Sequence, residues 1–263
     1  MDSGSDAKSL SRKRFDRFAG RYVSSATHAK ALELQRLLEI AQPEAEWIIL
    51  DVATGGGHTA LKFAPYVKQV IATDITLGML KAARGFIAEG GVSNVIFDFA
   101  DAEHLPFADL IFDLVTCRVA VHHFNQAGLF VKESVRVLKA DGMLMVEDHV
   151  LPEDKNVAGF IESFEKLRDP SHHQAYSENE WRQMYQDNGL EVSQVELVLK
   201  RHMFYEWAER QSASQQVMED LEEMVDRVPE EVLAWMQPKD FGSVQASFAN
   251  YHILISGLKK ANE

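Results

Sequence analysis

Apolar residues fall along this chain in two rhythms. Short runs of aliphatic and β-branched residues, Trp47–Val52, Gln69–Thr73, Val95–Phe99, Ile111–Cys117 and Met143–Asp148, predict five strands. Between them, apolar positions three and four apart predict helices over Thr59–Tyr66, Leu77–Glu89 and Gln126–Leu138. Gly90-Gly91 closes the second helix as a C-cap, and Asp141-Gly142 reads as a turn. Upstream, residues 12–40 read as a helix on Ala31, Leu34, Leu37 and Leu38, after a polar stretch over 1–11. Strands that alternate with helices at this spacing imply a parallel sheet covered on both faces.

The pattern changes after residue 150. Val157–Leu167 and Glu178–Asn188 read as helices, Gly189 ends the second, and Val192–Leu199 alternates like a strand. Residues 203–238 form a long acidic helical stretch rich in Glu and Met, and Tyr251–Ser256 reads as a last strand. The expected fold is α/β: a doubly wound, seven-stranded, mostly parallel Rossmann-like sheet with a helical cap. The expected organisation is a tail and capping helix over 1–40, a cofactor-binding core over 41–202, a helical cap insertion over 203–250, and a last core strand and tail over 251–263. An insertion before the final strand is expected near the carboxyl ends of the strands, over the ligand crevice, with 152–176 and the N-terminal helix beside it.

Composition narrows the function. A hydrophobic content of 46% suffices for a core, and a formal net charge of -13 argues against nucleic acid as the main partner. The basic cluster Lys8, Arg12, Lys13, Arg14, Arg17 and Arg21 reads as a solvated helix face. Cys117 is the single cysteine, so a cysteine metal site and an internal disulfide are excluded, in keeping with a cytoplasmic setting. No apolar run is long enough to span a membrane.

The chemistry concentrates in Ile48–Ala60, where a strand ends in Asp51-Val52-Ala53-Thr54 and a Gly55-Gly56-Gly57 turn enters a helix. Gly55, Gly57 and Ala60 alone match a dinucleotide turn equally well, and Asp74 alone would serve a nicotinamide ribose. Asp51 tips the balance, because a carboxylate feeding the turn opposes a pyrophosphate and suits a cofactor with a cationic ammonium group. The Asp101-Ala102 pair after the third strand adds to it.

In this order, Leu50–Gly57, Asp74, Asp101-Ala102-Glu103-His104-Leu105-Pro106-Phe107 and Phe112-Asp113-Leu114-Val115 resemble class I S-adenosylmethionine-dependent methyltransferases. The closer resemblance is to those related to ubiquinone/menaquinone biosynthesis enzymes, through the Ala-Thr-Gly-Gly-Gly-His turn, the His-His-Phe after strand four, Pro152-Glu153-Asp154 and Leu167–His172. The resemblance is good over about 15–200. It implies S-adenosylmethionine as cofactor, with S-adenosylhomocysteine as product. It also implies cofactor contacts at Asp51, Ala53, Thr54, Gly55, Gly57, Asp74, Ile75, Met79, Asp101, Ala102 and Arg118, with Tyr22 of an N-terminal signature closing over them. Asp74 would accept from both ribose hydroxyls and Asp101 from the adenine amino group. Ala53 departs from the commonest motif, which has glycine there.

Methyl transfer is an in-line displacement in which the protein mainly aligns and desolvates. His122 and His123, after strand four, are the candidates for a base, and the pattern does not separate them. Arg118 would orient an acidic substrate group, though a salt bridge is the plainer reading. His172-His173 lacks an acid or cysteine at metal-site spacing, so no metal is expected. Phe124, Phe160, Phe164, Met203, Phe204, Tyr205, Trp207 and Met236 would line an apolar pocket or form plain core. Met218, Leu221 and Val225 form a stripe suited to cap core or to a homodimer surface. The expected function is methylation of carbon or oxygen on a small organic molecule, a quinone- or phenol-like ring. The rivals are a cofactor-binding regulator and a non-methylating enzyme on the same fold.

Overall fold

The computed structural model describes residues 32–211 and 213–260. Tyr22, the basic cluster and most of the expected N-terminal helix lie outside these residues. After α1 (Leu32–Ala41), the chain lays down β1 (Ile48–Val52), α2 (His58–Phe63), β2 (Gln69–Asp74), α3 (Leu77–Glu89) and β3 (Val95–Phe99). It then crosses to β4 (Phe112–Arg118), α4 (Ala127–Val137) and β5 (Leu138–Leu151). Strands β1 to β5 run parallel, in the order β3-β2-β1-β4-β5. Leu50, Val52, Leu114 and Val115 are shut off from solvent, as strands covered on both faces must be. The winding reverses between β1 and β4. Such a switch point opens a crevice at the carboxyl ends of the strands.

The second half begins with α5 (Lys155–Arg168), β6 (Tyr176–Ser177), α6 (Glu178–Asp187) and β7 (Leu190–Met203). Three helices follow, α7 (Phe204–Arg210), α8 (Gln215–Asp226) and α9 (Glu230–Met236), before β8 (Ser247–Lys259). β8 lies between β5 and β7, antiparallel to both, which completes seven strands in one sheet. β6 pairs with the end of β5 outside that path. The alternating pattern missed β6, because two residues are too short to show a period.

The long helical stretch expected over 203–238 is three short helices. Pro229 starts α9 and Ser214 caps α8, its hydroxyl accepting from Val217 N–H at 3.2 Å. This insertion joins two strands paired up to Met203 and Ser247, so it forms the head of a long hairpin. β8 meets β5 at His149 and His252 and starts five residues earlier, at Ser247, which puts the hairpin head at the carboxyl end of the parallel strands.

The head has its own core. Phe164 of α5 stacks on Trp207 of α7 with ring centroids 5.2 Å apart, and the Arg168 guanidinium covers the same indole at 4.2 Å. Leu221 and Val225 are buried in this cluster and Met218 packs on it, so the apolar stripe of α8 is core of the hairpin head. Among the described residues, no helix is long and apolar enough to cross a membrane.

Candidate functional site

The crevice at the β1/β4 switch encloses about 1080 Å³, counting its open mouth, enough for a nucleoside-sized ligand. One wall is the β1–α2 turn. Asp51 is almost wholly buried, and two hydroxyls hold it: Thr54 Oγ1 donates to Oδ2 at 2.6 Å and Thr116 Oγ1 to Oδ1 at 2.8 Å. Burial pushes Asp51 up to about 6, against the pull of those hydroxyls. Thr54 N–H donates to Thr73 O at 2.8 Å, tying the turn to β2.

Ala53 sits at φ +52° and Gly55 at +54°. Ala53 is therefore in the left-handed region that favours glycine, which accounts for the commoner residue at that place in the motif. Gly57, at φ +84°, does another job. A Cβ there would come within 2.9 Å of Ile87 Cδ1, so Gly57 lets α2 close on α3 and is not part of the crevice wall.

Asp74 ends β2 and faces the turn. Its Oδ2 accepts from Gly55 N–H at 3.1 Å and its Oδ1 from Thr76 N–H at 2.9 Å, while burial pushes it up to about 6. Ile75, Met79, Asp101 and Ala102 complete the expected cofactor side of the wall. Asp101 folds its own turn, accepting from Glu103 N–H at 3.0 Å. Glu103, a crevice residue the sequence reading left unassigned, is buried and accepts from Gln126 N–H at 2.6 Å, which anchors the start of α4. Its signal was its place two residues after Asp101.

The far end of the crevice is built by the chain leaving β4. Arg118 lines the wall and pairs with the fully buried Glu147 at 3.4 Å, so the plainer of its two readings describes its contact. Glu147 also binds Lys200 at 2.6 Å. Burial disfavours its charge, but His252, Arg118 and Lys200 outweigh that and hold it well below the usual carboxylate range. Val119 follows at φ +54°, a costly conformation for a β-branched residue, fixed by its N–H bond to Glu147 O at 2.7 Å. This strained step turns the chain into the short 3₁₀ helix Val121–His123.

That helix separates the two histidines. His123 and Phe124 line the crevice, whereas His122 lies behind them. His122 Nδ1 meets Asp148 Oδ1 at 2.6 Å, and His122 N–H donates to Asp148 Oδ2 at 3.0 Å. Burial would lower the His122 value, but the Asp148 carboxylate outweighs it and holds His122 above its ordinary range. His123 Nδ1 lies 2.9 Å from Ser171 O, and a carbonyl only accepts, so Nδ1 carries the proton and Nε2 the lone pair. Burial, then the neighbouring His122, push His123 down to about 3.

The other aromatic candidates are elsewhere. Phe164, Phe204, Trp207 and Met236 are core of the hairpin head, Met203 is exposed on β7, and of the apolar candidates only Phe124 faces the crevice. Residues 171–174, between α5 and β6, bond to the turn that carries the two histidines. Besides the Ser171 contact, His173 and Gln174 N–H donate to His122 O at 2.8 and 3.1 Å.

A family model described as a methyltransferase domain matches residues 50–146. The uncharacterized methyltransferase YcgJ of Bacillus subtilis (strain 168) is 40% identical over 182 residues, covering 69% of this chain and 72% of that protein. A ubiquinone/menaquinone biosynthesis C-methyltransferase, UbiE of Saccharophagus degradans, is 32% identical over 124 residues, 46% of this chain and half of that protein. The crystal structure of BH2331 from Bacillus halodurans C-125 superposes with a TM-score of 0.85 at 36% identity, covering 88% of this chain and all of that one.

Proposed function

This chain belongs to the class I methyltransferases that use S-adenosylmethionine, and we propose that it methylates carbon or oxygen on a small, partly apolar ring. The observation that carries this reading is the division of the crevice. Its cofactor side is acidic and hydrogen-bonding, with Asp51, Asp74 and Asp101, and its other end offers Val119, Ala120, His123 and Phe124. A flat apolar substrate with one polar atom fits that end, by packing on Phe124 and directing its nucleophile to His123. UbiE, matched over half its length, is named as a C-methyltransferase of quinone biosynthesis, which supports a ring substrate of that kind.

The residues fit the cofactor. Gly55 and Ala53, both in left-handed backbone, leave the turn close and open, and Asp74 stands at a strand end where ribose hydroxyls are accepted. Asp51 would face the ammonium end of the methionine part, and Asp101 with the Ala102 N–H would hold the adenine. Bound S-adenosylmethionine supplies a methyl group activated on a sulfonium. The chain's own part is alignment, exclusion of water and handling of one proton. Neutral His123 takes that proton at Nε2 in step with attack, since a base held so low does not gain it beforehand.

Residues 203–250 serve as a cap built on α5, with 169–175 as its contact to the site. A cytoplasmic location agrees with the lone, buried cysteine. Incubating the protein with methyl-labelled S-adenosylmethionine and a phenol and quinone panel tests the reading. Labelled product with matching S-adenosylhomocysteine is expected. Turnover of only amine or carboxylate substrates would overturn the ring assignment.

A further inference from the structure

Behind the crevice wall, the turn after β4 meets the end of β5 in a group of imidazoles. His122 and His149 meet edge to face with ring centroids 4.6 Å apart, His172 stacks on His122 at 5.2 Å, and His252 tilts against His149 at 4.5 Å. Methyl transfer uses none of these four rings. His122, Asp148 and His149 each present a donor atom, and the three atoms lie within 4.8 Å of one another.

We propose that His122, Asp148 and His149 form a binding site for a divalent transition metal ion of the Zn2+ type. Two imidazole nitrogens and one carboxylate oxygen are the donor mixture of such ions. Ca2+ and Mg2+ prefer sites made of oxygen alone. The donors are already oriented. The Asp148 carboxylate accepts the backbone N–H of His149 at 2.7 Å and that of His122 at 3.0 Å, so the chain at both histidines positions the third ligand. His149 Nδ1 lies 3.8 Å from Glu165 Oε1, a carboxylate of the kind that fixes a ligand ring.

With Zn–N and Zn–O bonds of about 2.0–2.2 Å, donor atoms around one ion stand roughly 3.3 Å apart, so His122 Nδ1 and Asp148 Oδ1, at 2.6 Å, must part to admit the ion. His149 is the least buried of the three. The Nδ1–Oδ1 contact of His122 and Asp148 then gives way to bonds through the ion. Three protein ligands leave further coordination positions, and the ion ties the turn that carries His123 to β5.

The test uses the full chain, stripped with a chelator, loaded with Zn2+ or Co2+ and desalted. One retained equivalent is expected, with a visible Co2+ absorption band. His149→Ala and Asp148→Ala, checked by circular dichroism for native fold, should lose it, while His104→Ala, at an exposed histidine, should keep it. Imidazole nitrogen resonances of the wild-type protein supply a readout that needs no variant: Zn2+ should shift His122 and His149 and leave His104 unmoved. No retained metal, retention undiminished in both folded variants, or shifts confined to other histidines would overturn the site and leave a plain His122–Asp148 hydrogen bond.

Discussion

Asp74 Oδ2 accepts from Gly55 N–H at 3.1 Å, so the end of β2 holds in place the turn that follows β1. The other oxygen holds Thr76 at the start of α3. The carboxylate that would accept ribose hydroxyls is thus also the clamp that shapes the crevice.

Asp74→Ala therefore removes an acceptor from two backbone donors and from the ligand. Affinity for S-adenosylhomocysteine should fall by about 10- to 100-fold, the equivalent of roughly 1–3 kcal/mol for unpaired buried donors. Isothermal titration decides it. A dissociation constant within twofold of wild type would mean that the ribose lies elsewhere.

Binding should also depend on pH. Burial raises both Asp51 and Asp74 to about 6, above the ordinary 3.8. The native state therefore holds more protons than the unfolded chain between those values, and this contribution to stability falls as pH rises through the window. Ligand hydroxyls and an ammonium group favour the ionised carboxylates, so binding expels protons. Affinity for S-adenosylhomocysteine should climb from about pH 5 and level off near pH 7. Asp74→Asn should flatten part of the slope, and an affinity that falls over this range would refute the assignment of both acids.

Ala53→Gly should stabilise the protein. Relief of the left-handed strain at φ +52° is worth about 1–2 kcal/mol, and the added freedom of the unfolded chain returns about 0.5–1 kcal/mol of it. A net gain of roughly 0.5–1 kcal/mol in denaturant unfolding is expected, with unchanged S-adenosylhomocysteine affinity. Destabilisation would show that the Ala53 methyl makes contacts that outweigh its backbone cost.

The β-branched runs, the glycine turn and the two acids at strand ends made the sheet and half of the site legible, because each rests on local spacing. Ile48–Val52 and Leu77–Glu89 follow directly from such patterns. The roles of His122 and His123 were not legible. They are adjacent in sequence and differ only because Asp148, twenty-six residues on, captures one ring and the Ser171 carbonyl orients the other. The same holds for Phe164 and Trp207, whose helical spacing suits a pocket as well as a core until α5 and the hairpin head are packed together.

The cap should respond to ligand through one segment. Residues 171–174 are bonded to the turn that carries His123, whereas α7, α8 and α9 contribute nothing to the crevice wall. Hydrogen exchange at 169–175 should slow on binding of S-adenosylhomocysteine with a ring analogue, with α7–α9 little changed. Protection confined to 51–104 would separate the cap from catalysis.

The two histidines should separate catalysis from support. His123 lines the crevice and carries its lone pair on Nε2, while His122 holds the turn through Asp148. With a substrate in hand, His123→Ala should lower single-turnover rate by about 10²–10⁴-fold and leave the cofactor dissociation constant within a small factor. His122→Ala leaves the base in place but frees its turn, so its rate loss should be smaller and partly recovered in His122→Asn, whose amide can still bond Asp148. Asp148→Ala should act as His122→Ala does, and the double variant His122→Ala/Asp148→Ala should be little worse than either, as expected of residues that work as one contact. A His123→Ala enzyme as fast as wild type would reject the base and leave alignment as the whole of the protein's contribution. Equal losses of rate and cofactor affinity in His123→Ala would instead place that ring among the supports of the cofactor pocket.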